Sequence, residues 1–111
     1  MSDQAQLQFD SLLKANRKTS NHLEWIGFKG FLKGELKQER IWELQFYADK
    51  RQYRVLGIFG AVRKQVVLLI GCYHKGRIYK PSNALTTASQ RAKSVRQGYA
   101  TIEERQITID F

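Results

Sequence analysis

Apolar and polar residues follow two different periods along the chain, and the helical period comes first. Residues 3–18 place Phe9, Leu12 and Leu13 on one stripe, which is the spacing of a helix that buries one face. A second helix is predicted over residues 22–36, although three glycines weaken its pattern. We therefore expect helices near the N terminus.

The middle of the chain shows the period-two alternation of strands. Residues 41–47 alternate, residues 48–51 break the pattern, and residues 52–59 resume it, which predicts a hairpin. Residues 66–73 are continuously apolar, as is typical of a central strand buried on both faces. The three segments together predict an antiparallel meander.

A second helical pattern follows Pro81. Ser82 suits an N-cap, and one face of the segment carries small or apolar side chains: Leu85, Ala88, Ala92 and Val95. Residues 104–111 alternate again and predict a short terminal strand. A chain of 111 residues suits one domain, so we expect a single α+β domain over residues 1–111, with the N-terminal helices packed on a twisted antiparallel sheet.

Positive charge is concentrated in one long interval. The chain has 19 lysines and arginines against 10 acidic residues, and its formal net charge is +9. No acidic residue lies between Asp49 and Glu103, where eleven bases are interleaved with aromatic rings. Such a surface suits a nucleic acid, whose phosphates pair with cations and whose bases stack on rings. A basic face that docks an acidic protein is the open alternative. The residues predicted to contact RNA are Lys50, Arg51, Tyr53, Tyr73, Arg77, Lys80 and Arg91.

Several other kinds of chemistry find no support in the motifs. His22, Cys72 and His74 lack the spacing of a metal site, and no glycine-rich phosphate loop is present, so neither metal nor cofactor is expected. Cys72 lies in an apolar strand and is expected to be an inert core residue. The N terminus lacks a secretory pattern and no apolar stretch approaches about 20 residues, which indicates a cytoplasmic protein without a membrane partner.

The end of the third predicted strand carries the residues with the most chemical content. This segment carries His74, Lys75 and, four positions later, Tyr79. Arg54 belongs to the neighbouring strand. Metal-independent RNA cleavage needs a group that takes the 2′-hydroxyl proton, a cation beside the phosphate and an acid for the leaving oxygen. These four side chains supply those roles and are our candidate catalytic residues. The alternative is that His74 and Lys75 contact phosphate without chemistry.

The strand block resembles the phage-derived HigB/RelE-like toxin family. The similar fragments cover residues 29–97 and run in the family's order: Ile41-Trp42-Glu43-Leu44, Tyr53-Arg54-Val55, the segment that ends in His74-Lys75, and the helix after Lys80-Pro81 with Ala88, Arg91 and Ala92.

This resemblance implies a RelE-like fold and a toxin of a toxin–antitoxin pair that cleaves mRNA on the ribosome without a metal. It implies a phosphate contact for Arg54, basic catalytic positions for His74 and Lys75, and a stacking or acid role for Tyr79. Trp42 is expected to anchor the core and Glu43 to orient a nearby base. The implied partners are the ribosome with its mRNA and an antitoxin, expected to be a helix-turn-helix protein. The alternative is a non-enzymatic toxin or phage regulator that binds a protein such as DNA gyrase.

Overall fold

The computed structural model describes residues 3–17, 25–60, 66–75 and 78–98. These ranges contain a helix at each end and five strands between them, so the α+β class is confirmed. No helix in these ranges is long and apolar enough to cross a membrane. In chain order the elements are α1 (Asp3–Arg17), β1 (Phe28–Phe31), a 3₁₀ helix (Gly34–Glu39), β2 (Trp42–Ala48), β3 (Arg51–Phe59), β4 (Val66–Lys75), β5 (Ile78–Lys80) and α2 (Ala84–Arg96).

The strands form one antiparallel sheet with the order β1-β2-β3-β4-β5. The predicted meander is confirmed as β2, β3 and β4, and one shorter strand extends it on each side. Asp49 and Lys50 join β2 to β3 with φ of 50° and 61°, and Ala48 pairs with Arg51 across the turn. Two successive left-handed residues are typical of a type I′ turn, whose twist matches that of the flanking strands. This turn therefore sets the register of the central hairpin.

Each face of the sheet has its own core. α1 packs on one face, where Ala5 and Phe9 belong to a buried cluster with Trp42 and other side chains of β2 and β3. α2 packs on the opposite face, where its alanines, among them Ala88, contact apolar residues of β3 and β4 such as Leu56. Because strand side chains alternate, β2 and β3 also carry polar residues on the α2 face. These polar residues include the candidate site.

The second helix predicted over residues 22–36 is wrong for the part of that range that the structure describes. The chain turns at residues 25–27, then forms β1 and the 3₁₀ helix, so α1 is the only α-helix before the sheet in the described residues. Gly27 and Gly30 have φ of +82° and +98°, outside the right-handed helical region. The N–H of Gln45 donates to the Gly27 carbonyl at 2.8 Å. The glycines therefore direct this segment onto the edge of β2.

The expectation of a central strand buried on both faces is wrong for β4. β3 holds the central place in the sheet, and β4 lies second from an edge. Val67 and Leu69 are buried beneath α2, whereas Leu68 is 40% exposed. α1 packs on β2, away from this part of the sheet. A continuous apolar run does not show which face of the strand a helix will cover.

The C-terminal helix is confirmed, with Ala88 and Ala92 fully buried. Ser82 is not its cap, because the helix begins two residues later and Asn83 occupies the N-cap position without a side-chain hydrogen bond. The N–H of Ala84 donates instead to the Pro81 carbonyl at 3.0 Å. The terminal strand predicted over residues 104–111 lies outside the described residues.

Candidate functional site

Four polar side chains from four neighbouring strands meet on the α2 face of the sheet. Glu43 comes from β2, Arg54 from β3, His74 from β4 and Tyr79 from β5. Strand alternation places each of them on this face, and the register sets His74 directly opposite Tyr79. We call these four residues the polar cluster. It brings together three of the four predicted catalytic residues: Arg54, His74 and Tyr79.

Glu43 is the centre of the polar cluster. Arg54 Nη1 donates to Glu43 Oε2 at 3.0 Å, and the Tyr79 hydroxyl donates to Glu43 Oε1 at 2.7 Å. The side chains of Arg54 and Glu43 are only 17% and 12% exposed, so solvent screens their ion pair weakly. One carboxylate therefore holds both the cation and the phenol in place.

His74 lies against this ion pair and is neutral near pH 7. Its ring meets the Tyr79 ring edge-on, with 4.2 Å between the centroids. Burial and the positive charge of Arg54 lower the pKa of His74 below its ordinary value of 6.5, although Glu43 opposes the shift. Nε2 of His74 is buried and has no hydrogen-bond partner among the described residues. A neutral imidazole can accept a proton, as a general base must.

Tyr79 and the neighbouring Cys72 both stay protonated near neutral pH. Burial, followed by the hydrogen bond to Glu43, raises the pKa of Tyr79 far above its ordinary value of 10. Burial, followed by the charge of Glu43, raises the pKa of the Cys72 thiol to about 11. Cys72 is buried against α2, in line with the inert role expected for it. The phenol of Tyr79 can donate a hydrogen bond, while the thiol is a poor nucleophile near neutral pH.

Lys75 does not join the polar cluster. It follows His74 directly, so strand alternation turns its side chain toward the opposite face, and it pairs with Ile78 in the register. Its predicted catalytic role therefore has no geometric support beside Arg54, and the lysine lies in a neighbouring groove instead.

That groove surrounds the end of the β2–β3 hairpin and has a volume of about 430 Å³. Among the described residues, its lining includes three cations, two tyrosines and His74, and no acidic side chain. We call it the hairpin-end groove, and its lining residues are Tyr47, Lys50, Arg51, Gln52, Tyr73, His74 and Lys75.

The predicted RNA contacts divide between this groove and other places. Lys50, Arg51 and Tyr73 line the groove, and the Arg51 guanidinium lies 4.6 Å from the centre of the Tyr73 ring. Lys80 pairs with Tyr73 across β4 and β5, on the α1 face. Arg77 lies outside the described residues.

The two remaining predicted RNA contacts have structural partners. Tyr53 is 5% exposed and stacks on Phe46 at 5.3 Å, so its ring belongs to the α1 core. Arg91 Nη1 donates to the Leu69 carbonyl at 2.7 Å, which ties α2 to β4. The Tyr53 ring is therefore closed to a nucleic acid, whereas the Arg91 side chain remains exposed.

Sequence reasoning did not single out Tyr47 and Gln52, which also line the hairpin-end groove. The signal was present, because Tyr47 continues the polar positions of β2 that include Glu43, and Gln52 pairs with His74.

Within the described ranges, no group of three or more His, Cys, Asp and Glu side chains is placed to hold a metal ion. Comparisons of the chain with protein-family models, with curated proteins and with solved structures found no match.

Proposed function

We propose that this chain is a metal-independent endoribonuclease that acts as the toxin of a toxin–antitoxin pair and cuts mRNA on the ribosome. The observation that carries the proposal is the meeting of Arg54, His74 and Tyr79 on one sheet face, next to a cationic groove with aromatic rings. The fragments that resemble HigB/RelE-like toxins support the choice of a ribosome-bound substrate, an antitoxin partner and a cytoplasmic location.

The proposed reaction is attack of the 2′-oxygen of RNA on the adjacent phosphorus. His74 accepts the 2′-hydroxyl proton, since its lowered pKa keeps the imidazole neutral. The new 2′-O–P bond forms as the bond from phosphorus to the 5′-oxygen breaks. The products are a 2′,3′-cyclic phosphate and a free 5′-hydroxyl.

Arg54 stabilises the charge that builds on the phosphate. Its guanidinium has five N–H donors, and the hydrogen bond to Glu43 uses Nη1, so donors remain for phosphate oxygens. The Tyr79 hydroxyl turns away from Glu43 and supplies its proton to the leaving 5′-oxygen. Although the pKa of Tyr79 is raised, the leaving alkoxide is a stronger base than the Tyr79 phenolate. The pKa of bulk water, about 15.7, is the guide to its basicity. Exchange with water then restores both His74 and Tyr79.

A second candidate function is binding without cleavage, to a protein target such as DNA gyrase. One observation favours it: Glu43 engages both Arg54 and Tyr79, an arrangement that stabilises the sheet whether or not any reaction follows. Lys75, the fourth predicted catalytic residue, is absent from the polar cluster.

The deciding experiment incubates the purified protein with ribosomes programmed with a defined mRNA and maps the new 5′ ends. We expect cleavage with 5′-hydroxyl ends, and a loss of about a hundredfold or more for Arg54→Ala, the scale for a removed charge donor. Lys33→Ala should cleave normally, because this exposed lysine lines a different groove, between the 3₁₀ helix and α2. A folded wild-type protein that leaves this mRNA intact would contradict the proposal and favour binding without cleavage.

A further inference from the structure

The hairpin-end groove adjoins the polar cluster through one shared residue. His74 lines the groove and also packs on Tyr79 in the cluster. Gln52 pairs with His74, so Arg51 and Lys75 lie one residue further toward the strand ends. Arg51 and Lys75 point to the α1 face and His74 to the α2 face, so a chain that passes His74 reaches these cations where the groove wraps around the strand ends.

The groove presents charge and an aromatic face together. Lys50 lies in the turn, and Arg51 is held over the Tyr73 ring by a cation–π contact at 4.6 Å. Tyr47 is 60% exposed, so its ring is open to solvent. An ordered guanidinium and an open ring are the two elements that bind a phosphate and stack a base.

The volume and the positive charge of the groove narrow the choice of ligand. A volume of about 430 Å³ lies within the range of about 300–1,000 Å³ for sites that hold small ligands, and suits one nucleotide. The described part of its lining carries three cations and no acidic side chain, so the groove favours an anion. A base reaches the Tyr47 ring only when it is unstacked from its neighbours, which single strands allow and duplexes resist.

We propose that the hairpin-end groove binds one nucleotide of a single-stranded RNA, with its base on Tyr47 and the adjoining phosphates on Lys50, Arg51 and Lys75. This inference deepens the proposed function and rests on it for the choice of RNA. It gives Lys75 a role in binding the substrate, away from the reacting atoms. The RNA then runs from the groove past His74 to Arg54.

The test measures binding apart from cleavage. Fluorescence anisotropy follows a fluorescein-labelled 2′-O-methyl RNA of ten nucleotides, which has no 2′-hydroxyl to react. We expect Tyr47→Ala to weaken binding by about 5- to 150-fold, the range for loss of one base–aromatic stack. Tyr47→Phe keeps the ring and should bind like the wild type. Both variants should fold, since the ring is mostly exposed.

The phosphate contacts are tested by the salt dependence of the same binding. Lys75→Gln should reduce the slope of log affinity against log salt by about 0.7, the value for one lost contact on a single strand. Lys33→Gln is the matched control, because this exposed lysine lines a different groove, between the 3₁₀ helix and α2. It should leave the slope unchanged.

Three results would overturn the inference: wild-type affinity for Tyr47→Ala, equal effects of Lys75→Gln and Lys33→Gln, or a ten-residue glutamate peptide that binds as tightly as the RNA. The first two would mean a diffuse basic surface, and the third a docking face for an acidic protein. Failure of the proposed function looks different. In that case the groove variants still lose affinity for the RNA, but the wild type cleaves no mRNA.

Discussion

Removal of the Glu43 carboxylate should destabilise the fold mainly because it leaves the charge of Arg54 without its partner, and less because packing is lost. In Glu43→Ala, Arg54 keeps its charge in a site where its side chain is 17% exposed, and the partner at 3.0 Å is gone. Deletion of one member of a buried pair costs about 3–5 kcal/mol, and the residual exposure here favours the lower end, about 3 kcal/mol.

A double-mutant cycle isolates this interaction. Urea unfolding at pH 7 of the wild type, Glu43→Ala, Arg54→Ala and the double variant gives four free energies of unfolding. The double variant leaves neither charge unpaired, so we expect its loss to be smaller than the sum of the single losses by about 1.5–3 kcal/mol. Lys93 and Glu39 form the matched control, since their ion pair is 3.6 Å long and the Lys93 side chain is 60% exposed. Their coupling should stay below about 1 kcal/mol.

Additive losses for Glu43 and Arg54, within about 0.5 kcal/mol, would contradict this prediction. They would mean that the carboxylate and the guanidinium do not interact in solution. The same result would remove the main support for the placement of Arg54 beside the proposed reacting phosphate.

Three further predictions concern single residues. Because the pKa of His74 is lowered in the folded protein, His74 binds a proton more readily in the unfolded chain. The free energy of unfolding should therefore fall as pH decreases from about 6.5. Urea titrations at several pH values should show a flatter fall for His74→Gln. Gly57→Ala should cost about 1–3 kcal/mol in the same assay, because a Cβ would lie 2.8 Å from the Val67 carbonyl and closer still to the Trp42 ring. Cys72, with its pKa raised to about 11, should resist iodoacetamide at pH 8 until urea unfolds the protein, as mass spectrometry can show.

Periodicity was a good guide where one face of an element is buried. α1 and α2 lie close to their predicted ranges, because Phe9 in the first and Ala88 and Ala92 in the second mark the buried stripes. The hairpin of β2 and β3 was predicted from its alternation and from the break at residues 48–51. Each of these signals is local, so one sequence is enough to show it.

The remaining parts of the fold depend on contacts between distant segments. β1 forms because Gly27 adopts a positive φ and its carbonyl accepts the N–H of Gln45, eighteen positions away in the chain. β5 is only three residues long, and its pairing with the end of β4 places Tyr79 opposite His74. No periodic pattern shows such a short strand.

The structure brings together the candidate residues that share one face and separates Lys75, for which the prediction ignored strand alternation. His74 and Lys75 were treated as a pair because they are neighbours in the chain, but neighbours in a strand point to opposite faces. The importance of Glu43 depends on two contacts, with Arg54 and Tyr79, that span 11 and 36 positions. A single sequence suggests that Glu43 orients a base, but it does not show which one.

The central claim is that the polar cluster performs chemistry, with His74 as the base. The most direct test is the single-turnover rate of mRNA cleavage on ribosomes, at saturating protein, for the wild type and His74→Ala. We expect a rate about 10²- to 10⁴-fold lower for the variant, with its affinity for the programmed ribosome nearly unchanged. Equal cleavage rates for the two proteins would contradict this claim.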